Sequence, residues 1–162
     1  MEIRRFIQDD WASVKEIYRL GILTGNATFE TSVPEYEVFA GKFCDGLLWV
    51  LVLDQVIVGW AGLQAVSARK VYEGVMEITL YIHPDFQGRR LATALINYLI
   101  EKSEEVGVWT LYASILEENI PSRKLHLSAG FREIGYREKI ARLAEKWRNT
   151  VLYERRSTVV GK

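Results

Sequence analysis

The sequence predicts one domain of the mixed α/β (α+β) class: a central, twisted, mixed but mostly antiparallel sheet with helices on both faces. Three observations predict it. Hydrophobic periodicity switches between the strand and helix repeats along the chain, in the order β-α-α-β-β-β-α-β-α-β-β. Three strands in direct succession imply antiparallel pairing. A strand, a long helix and a strand between Val75 and Ile115 imply a parallel crossover, which is right-handed in nearly all cases. Ligand chemistry is then expected beyond the ends of the crossover strands.

Each element has a local reason. Glu2 to Phe6 reads as a short strand. Asp9 and Asp10 can cap a helix running to about Leu20, with Trp11, Val14, Ile17 and Tyr18 on one face. A Gly-, Thr- and Asn-rich loop follows from Gly21 to Val33. Pro34 suits the first turn of a second helix that Gly46 ends. Leu48–Leu53 and Val56–Gln64 read as strands joined by a tight turn at Asp54-Gln55. A longer strand spans about Val75 to His83 and stops at Pro84, which cannot donate to a ladder. The strongest helix covers about Arg89 to Val106, with Leu91, Leu95, Tyr98 and Leu99 on one face and Gly107 as its stop. Trp109–Ile115 is a strand. Asn119 or Ser122 starts a short helix reaching Ser128, ended by Gly130. Phe131–Ile140 and Thr150–Arg155 read as closing strands.

Composition bounds the function classes. With 162 residues, 49% hydrophobic and 26% charged, the chain can bury a core without disulfides or metals. Its three Pro lie far apart and no linker divides it, so residues 1–156 are expected to form a single domain, with 157–162 a short tail. Lys+Arg and Asp+Glu are 21 each, so no global basic surface invites nucleic acid. The single cysteine, Cys44, excludes an internal disulfide and fits a structural thiol on the second helix. With two His besides, no metal cluster is expected. Met1-Glu2-Ile3-Arg4-Arg5 does not read as a signal peptide, and Leu47–Leu53 is too short to span a membrane. A cytoplasmic, soluble protein with neither a membrane nor a nucleic-acid partner is expected.

Between the long strand and the long helix lies Gln87-Gly88-Arg89-Arg90-Leu91-Ala92. The first turn of a helix leaves N–H groups unpaired, and its dipole adds positive potential. Arg89 and Arg90 add cations at the same point, so a pyrophosphate would satisfy these donors together. Taken alone, the segment also fits an ordinary turn with solvated arginines. The Walker and dinucleotide fingerprints are both absent, which argues against an ATPase or a dehydrogenase.

Gln-x-x-Gly-x-Gly/Ala, after a strand ended by Pro and before an amphipathic helix, is the acetyl-CoA pyrophosphate loop of the GNAT superfamily of N-acetyltransferases. The chain resembles it at Gln87, Gly88, Leu91 and Ala92, and departs from it at Arg90, where the family usually has glycine. Asn119-Ile120-Pro121-Ser122 with Leu125 to Phe131 resembles the family's second CoA segment. The resemblance implies the GNAT fold and acetyl-CoA as cosubstrate, with no metal. It implies contacts to the cofactor from Leu80, Tyr81, Ile82, Gln87, Gly88, Arg89, Arg90, Leu91, Ala92, Thr93, Asn119 and Ser122. Asn119 and Ser122 also read as plain helix caps, and the two roles are compatible.

Three further segments resemble one branch, the phosphinothricin acetyltransferase-like enzymes: Ala27-Thr28-Phe29-Glu30, the spacing of Arg69, Tyr72 and Glu77, and Lys139 through Arg142 to Trp147-Arg148. Glu73 stands where the branch commonly has arginine, and Asn149 where it commonly has aspartate. The branch acetylates the α-amine of small amino-acid analogues: phosphinothricin, methionine sulfoximine and methionine sulfone. That resemblance implies a small-molecule amine substrate near Thr28, Phe29, Glu30, Arg69, Tyr72, Lys139, Arg142 and Trp147. It also implies a homodimer. Residues 132–156 hold eight Lys/Arg against four Glu, a local charge that could draw an anionic group. Another amine (a protein N-terminus, a lysine, a polyamine) and a non-catalytic CoA-binding module are the competing readings.

The chemistry can be argued beside the resemblance. An ammonium must lose a proton before it attacks a thioester, so a base is required. Strand alternation places Glu77, Thr79, Tyr81 and His83 on one face and Ile78, Leu80 and Ile82 on the other. A carboxylate in an otherwise apolar strand must be paired or hydrated. Glu77 is thus either an ion-pair partner, with Arg69 the candidate, or a general base. The resemblance implies the base, acting through water. His126 stands where many members have a tyrosine that protonates the departing thiolate, so it is a candidate acid; packing or capping is the alternative. Trp147 is implied near the pocket, while the other tryptophans read as core residues.

Overall fold

The computed structural model describes residues 1–43 and 46–162. Its elements are β1 (Glu2–Arg5), α1 (Trp11–Leu23), α2 (Tyr36–Lys42), β2 (Leu48–Leu53), β3 (Val56–Ala65), β4 (Val75–Ile82), α3 (Leu91–Glu105), β5 (Thr110–Leu116), α4 (Ile120–Ser128), β6 (Arg132–Leu143) and β7 (Lys146–Arg156). The seven strands form one sheet in the order β1-β2-β3-β4-β5-β7-β6. Every neighbouring pair is antiparallel except β4–β5, which α3 joins as a parallel crossover.

Alternation along each strand makes two apolar faces. On one, Leu91, Leu95 and Leu99 of α3 pack on Ile78, Leu111, Ile115, Val151 and Tyr153. On the other, Val14, Ile17 and Tyr18 of α1 join Phe39 of α2 over Val50 and Trp60. Each fully buried side chain of this size stabilises by roughly 1.5–3 kcal/mol, so both layers hold the sheet firmly. β4 obeys the expected alternation: Ile78, Leu80 and Ile82 meet the α3 layer, and Tyr81 meets the α1 layer.

The β2–β3 turn has left-handed backbone at Asp54 and Gln55, with φ of 49° and 67°. That twist matches the flanking strands. The β6–β7 turn does the same at Ala144 and Glu145, with φ of 47° and 65°. Because of it both closing strands run further than expected, and Lys139, Arg142 and Trp147 lie on one long hairpin. The second helix is shorter than expected. It is preceded by Glu35 in extended conformation, so Pro34 stands outside its first turn. Cys44 lies outside the described residues. Residues beyond Arg156 pack on the domain: the Ser157 N–H reaches the Trp109 carbonyl at 2.8 Å, and the Ser157 hydroxyl donates to Glu104 at 2.8 Å. Among the described residues, no helix is long and apolar enough to cross a membrane.

Candidate active site

The parallel pair opens. β4 and β5 pair from Val75–Thr110 to Glu77–Tyr112 and no further, although β4 continues to Ile82 and β5 to Leu116. Beyond Glu77 the strands diverge as the two arms of a V. In an antiparallel ladder, alternate residues of β4 bond to β3. The His83 N–H bonds the Val58 carbonyl at 2.8 Å. Counting back, Tyr81 and Thr79 also face β3, so the backbone N–H and C=O of Leu80 and Ile82 face the opening. A cleft of about 1230 Å³ occupies it, lined by both arms and by the start of α3.

At the mouth of the cleft, the loop before α3 turns sharply. Gly88 has φ +77° and would meet nothing within 4 Å if it carried a Cβ. Arg90 is left-handed as well, at φ 59°, and caps α3 without a side-chain hydrogen bond. The N–H groups of Leu91, Ala92 and Thr93 therefore have no intrahelical partner. All three residues line the cleft, with Gln87, Gly88 and Arg90. On the opposite arm, the Asn119 side chain accepts the Ser122 N–H at 3.2 Å and caps α4. Loop amides, a helix N-terminus and free strand edges form one continuous series of donors and acceptors. Such a series fits a pyrophosphate followed by an amide-bearing chain.

Glu77 stands at the vertex, half-buried. Gln64, its cross-strand partner on β3, donates an amide N–H to Glu77 Oε2 at 3.0 Å. The ion-pair alternative is not formed: Arg69 lies over the Tyr72 ring at 5.3 Å, outside the cleft. On the same side, Tyr18, Phe39, Phe43, Trp60 and Tyr81 make an aromatic wall, with Trp60 stacked on Tyr81 at 4.9 Å. Burial, with a smaller contribution from the Glu30 charge, pushes the Tyr18 phenol up to about 12 against the Thr28 hydroxyl beside it. Both phenols thus stay protonated in the neutral range, since burial raises Tyr81 further still.

His126 is buried on α4 and lines the cleft. Its Nδ1 lies 2.8 Å from the Ser122 carbonyl, which can only accept, so Nδ1 carries the proton and Nε2 is a bare acceptor. Burial pushes its pKa down. A neutral ring protonated on Nδ1 has no proton on Nε2 to give, which opposes the acid role the resemblance implied.

The cleft gathers Glu77, His126, Thr28, Phe29 and Glu30 with Leu80, Tyr81, Ile82, Asn119, Ser122 and the loop residues. It does not gather Arg89, which lies over Phe86 at 5.2 Å. Nor does it include Arg69, Tyr72, Lys139, Arg142 or Trp147. All five are exposed. Arg142 pairs with Glu145 at 2.8 Å and lies over Trp147 at 5.7 Å, on a hairpin end that projects past the sheet. Sequence reasoning missed Gln64, Trp60 and Lys42, and named Arg148 only as part of the C-terminal segment. Lys42 pairs with Glu30 at 2.9 Å at the cleft wall. Arg148 donates to the Gly25 carbonyl at 2.9 Å, to Asn26 at 3.0 Å and to Glu118 at 3.1 Å, which fastens the loop roofing the cleft. Register along the β2–β3–β4 meander could have found Gln64. No local signal marks Trp60 or Lys42.

The profile of the Acetyltransferase (GNAT) family matches residues 11–131. A phosphinothricin N-acetyltransferase of Alcaligenes faecalis is 30% identical over 160 residues, covering 94% of this chain and 81% of its own length. An L-methionine sulfoximine/L-methionine sulfone acetyltransferase of Salmonella typhimurium is 29% identical over 136 residues, covering 81% of this chain and 80% of its own. Among solved structures, a GNAT superfamily phosphinothricin acetyltransferase from Sinorhizobium meliloti in complex with AcCoA superposes with TM-score 0.88. It is 25% identical and covers 96% of this chain and 87% of its own. A ribosomal-protein-alanine N-acetyltransferase from Brucella melitensis shares the fold with TM-score 0.90, at 21% identity, covering 97% of this chain and 100% of its own.

Proposed function

The chain belongs to the GNAT acetyltransferase family, and on that footing we propose that it acetylates the α-amine of a small amino acid or analogue of the phosphinothricin, methionine sulfoximine or methionine sulfone type. Acetyl-CoA is the donor and supplies an activated thioester. The acceptor class is supported by what its relatives are named for. The observation that carries the reading is Glu77, a half-buried carboxylate held by Gln64 where the strands part.

In this reading the N–H groups of Gly88 and of Leu91 to Thr93 hold the pyrophosphate. The edges of Leu80 and Ile82 pair with the amides of the pantetheine arm, and Asn119 and Ser122 flank it from the other side. Glu77 withdraws a proton from the bound ammonium through a water, which frees the nitrogen lone pair for attack. Gln64 keeps the carboxylate turned to that task. His126 serves as an acceptor, not as an acid, and a thiolate is already a fair leaving group without one. The exposed Arg69, Tyr72, Lys139, Arg142 and Trp147 belong to the reading only through a second copy of the chain. A homodimer is therefore part of the proposal, and a monomer seen by light scattering at micromolar concentration removes that part.

Glu77→Gln keeps the shape of the side chain but cannot take a proton. Loss of a general base costs ~10²–10⁴ in rate, so kcat should fall by that much while CoA affinity, measured by calorimetry, holds. Thiol release would be followed with methionine sulfone, a polyamine, lysine and a peptide N-terminus as acceptors. Turnover of the folded variant near the wild-type rate overturns the role of Glu77. Preference for the peptide or polyamine overturns the substrate class. CoA binding with no turnover on any amine favours the non-catalytic module.

A further inference from the structure

Glu77 is held through one oxygen. Gln64 donates to Oε2, and Oε1 has no hydrogen-bond partner among the described residues. What stands beside that oxygen follows from strand parity. Ile78 and Leu80 belong to the α3 layer, so Thr79 between them shares the Glu77 face of β4. Ala113 and Ile115 belong to the α3 layer as well, so Ser114 between them faces the Glu77 side of β5. The last ladder pair of the parallel strands is Glu77–Tyr112. Thr79 and Ser114 each lie two residues past it, about 7 Å along by strand rise. They stand on opposite arms of the V, one step beyond the base.

Both residues are open to the cleft. Each lines it, Thr79 half-buried and Ser114 exposed. Their cross-strand neighbours offer no polar side chain: Gly62, with the Phe43 ring against it, lies beside Thr79, and Leu152 lies beside Ser114. Among the described residues neither hydroxyl has a hydrogen-bond partner. Strands lie about 4.8 Å apart where they pair, and these two have already parted, so the hydroxyls do not bond to each other. A bridging water spans such a gap.

A water has two protons to give and two lone pairs to receive. When it donates to Glu77 Oε1 and to one hydroxyl, and accepts from the other, one lone pair is left over. That lone pair can take an ammonium N–H. We propose that Thr79 and Ser114 are positioning residues for the proton transfer: their hydroxyls fix the water through which Glu77 acts. The ammonium passes a proton to the water oxygen as the water passes one to Oε1. The water is regenerated, the carboxylate becomes a carboxylic acid, and the nitrogen keeps the electron pair with which it attacks the thioester carbon. The hydroxyls themselves neither gain nor lose a proton. This inference rests on the reading of Glu77 as the base and is independent of which amine is the acceptor.

Ser114→Ala and Thr79→Val each remove one hydroxyl with little change of shape, and melting curves with CoA calorimetry check that the fold and the cofactor site are kept. With methionine sulfone, or the fastest amine of the panel above, each variant should lose roughly three- to tenfold in kcat at neutral pH, the worth of one hydrogen bond. KM for both substrates should hold. The deficit should shrink above the pKa of the amine, where the acceptor arrives already deprotonated. Ser114→Thr and Thr79→Ser keep a hydroxyl and should restore the rate. Because both hydroxyls hold one water, the double variant should lose much less than the product of the single losses. If Glu77→Gln is slow while both single variants turn over at the wild-type rate, Glu77 acts without them and this inference alone is overturned. A loss that is equal at every pH, or that the conservative variants do not repair, makes the residues structural and overturns it too. If Glu77→Gln is as fast as wild type, or wild type turns over no amine, the reading beneath it fails and this inference falls with it.

Discussion

His126 titrates against the fold. Burial holds its pKa below the ordinary 6.5, because a charged ring among Phe131 and Tyr153 would have little solvation. The unfolded chain takes up a proton as pH falls through about 6.5, while the folded chain does not. Stability is therefore full above that pH and declines below it, until the folded ring is protonated as well. Melting curves between pH 7.5 and 5.5 should show the decline, and His126→Gln should flatten it. An unchanged slope in the variant would assign the decline to other groups. At this scale the sequence was most informative where a residue breaks its surroundings: Glu77 is conspicuous as a carboxylate among Ile78, Leu80 and Ile82. Trp60 was not, since an aromatic residue in a strand reads as an ordinary sheet former.

The loop before α3 shows how an element accommodates an unsuitable residue. Arg90 occupies left-handed backbone at φ 59°, where a Cβ costs roughly 1–2 kcal/mol. The usual glycine of the loop now has a conformational explanation. Arg90→Gly should raise unfolding stability by about 1 kcal/mol in urea titration. CoA affinity should be retained, because the contacts assigned to the loop come from backbone N–H groups; a tenfold loss in calorimetry would instead make the guanidinium a ligand contact. Elements with strong periodicity, such as α3 and the β2–β3 hairpin, were legible with near-correct bounds. The length of the β6–β7 hairpin was not. The apolar side chains of its outer strand and far end, Ile134, Tyr136, Ile140 and Trp147, are exposed, so burial gives that part no clean alternation to read. The point where β4 leaves β5 was hidden for another reason: a strand keeps its residue pattern whether or not a neighbour is bonded to it.

At the scale of the molecule, two layers clamp a sheet that is open in its middle. The roof over that opening is tied on one side by Arg148 to Gly25 and Asn26, and on the other by the Lys42–Glu30 pair. An interior strand therefore carries an unpaired edge beneath a fastened cover. Amide hydrogen exchange should register this as a parity along β4: Thr79 and Tyr81, bonded to β3, exchange slowly, while Leu80 and Ile82 between them exchange like loop amides. Filling the opening with acetyl-CoA should erase the alternation, so that the strand becomes uniformly protected when a ligand takes the place of its missing neighbour.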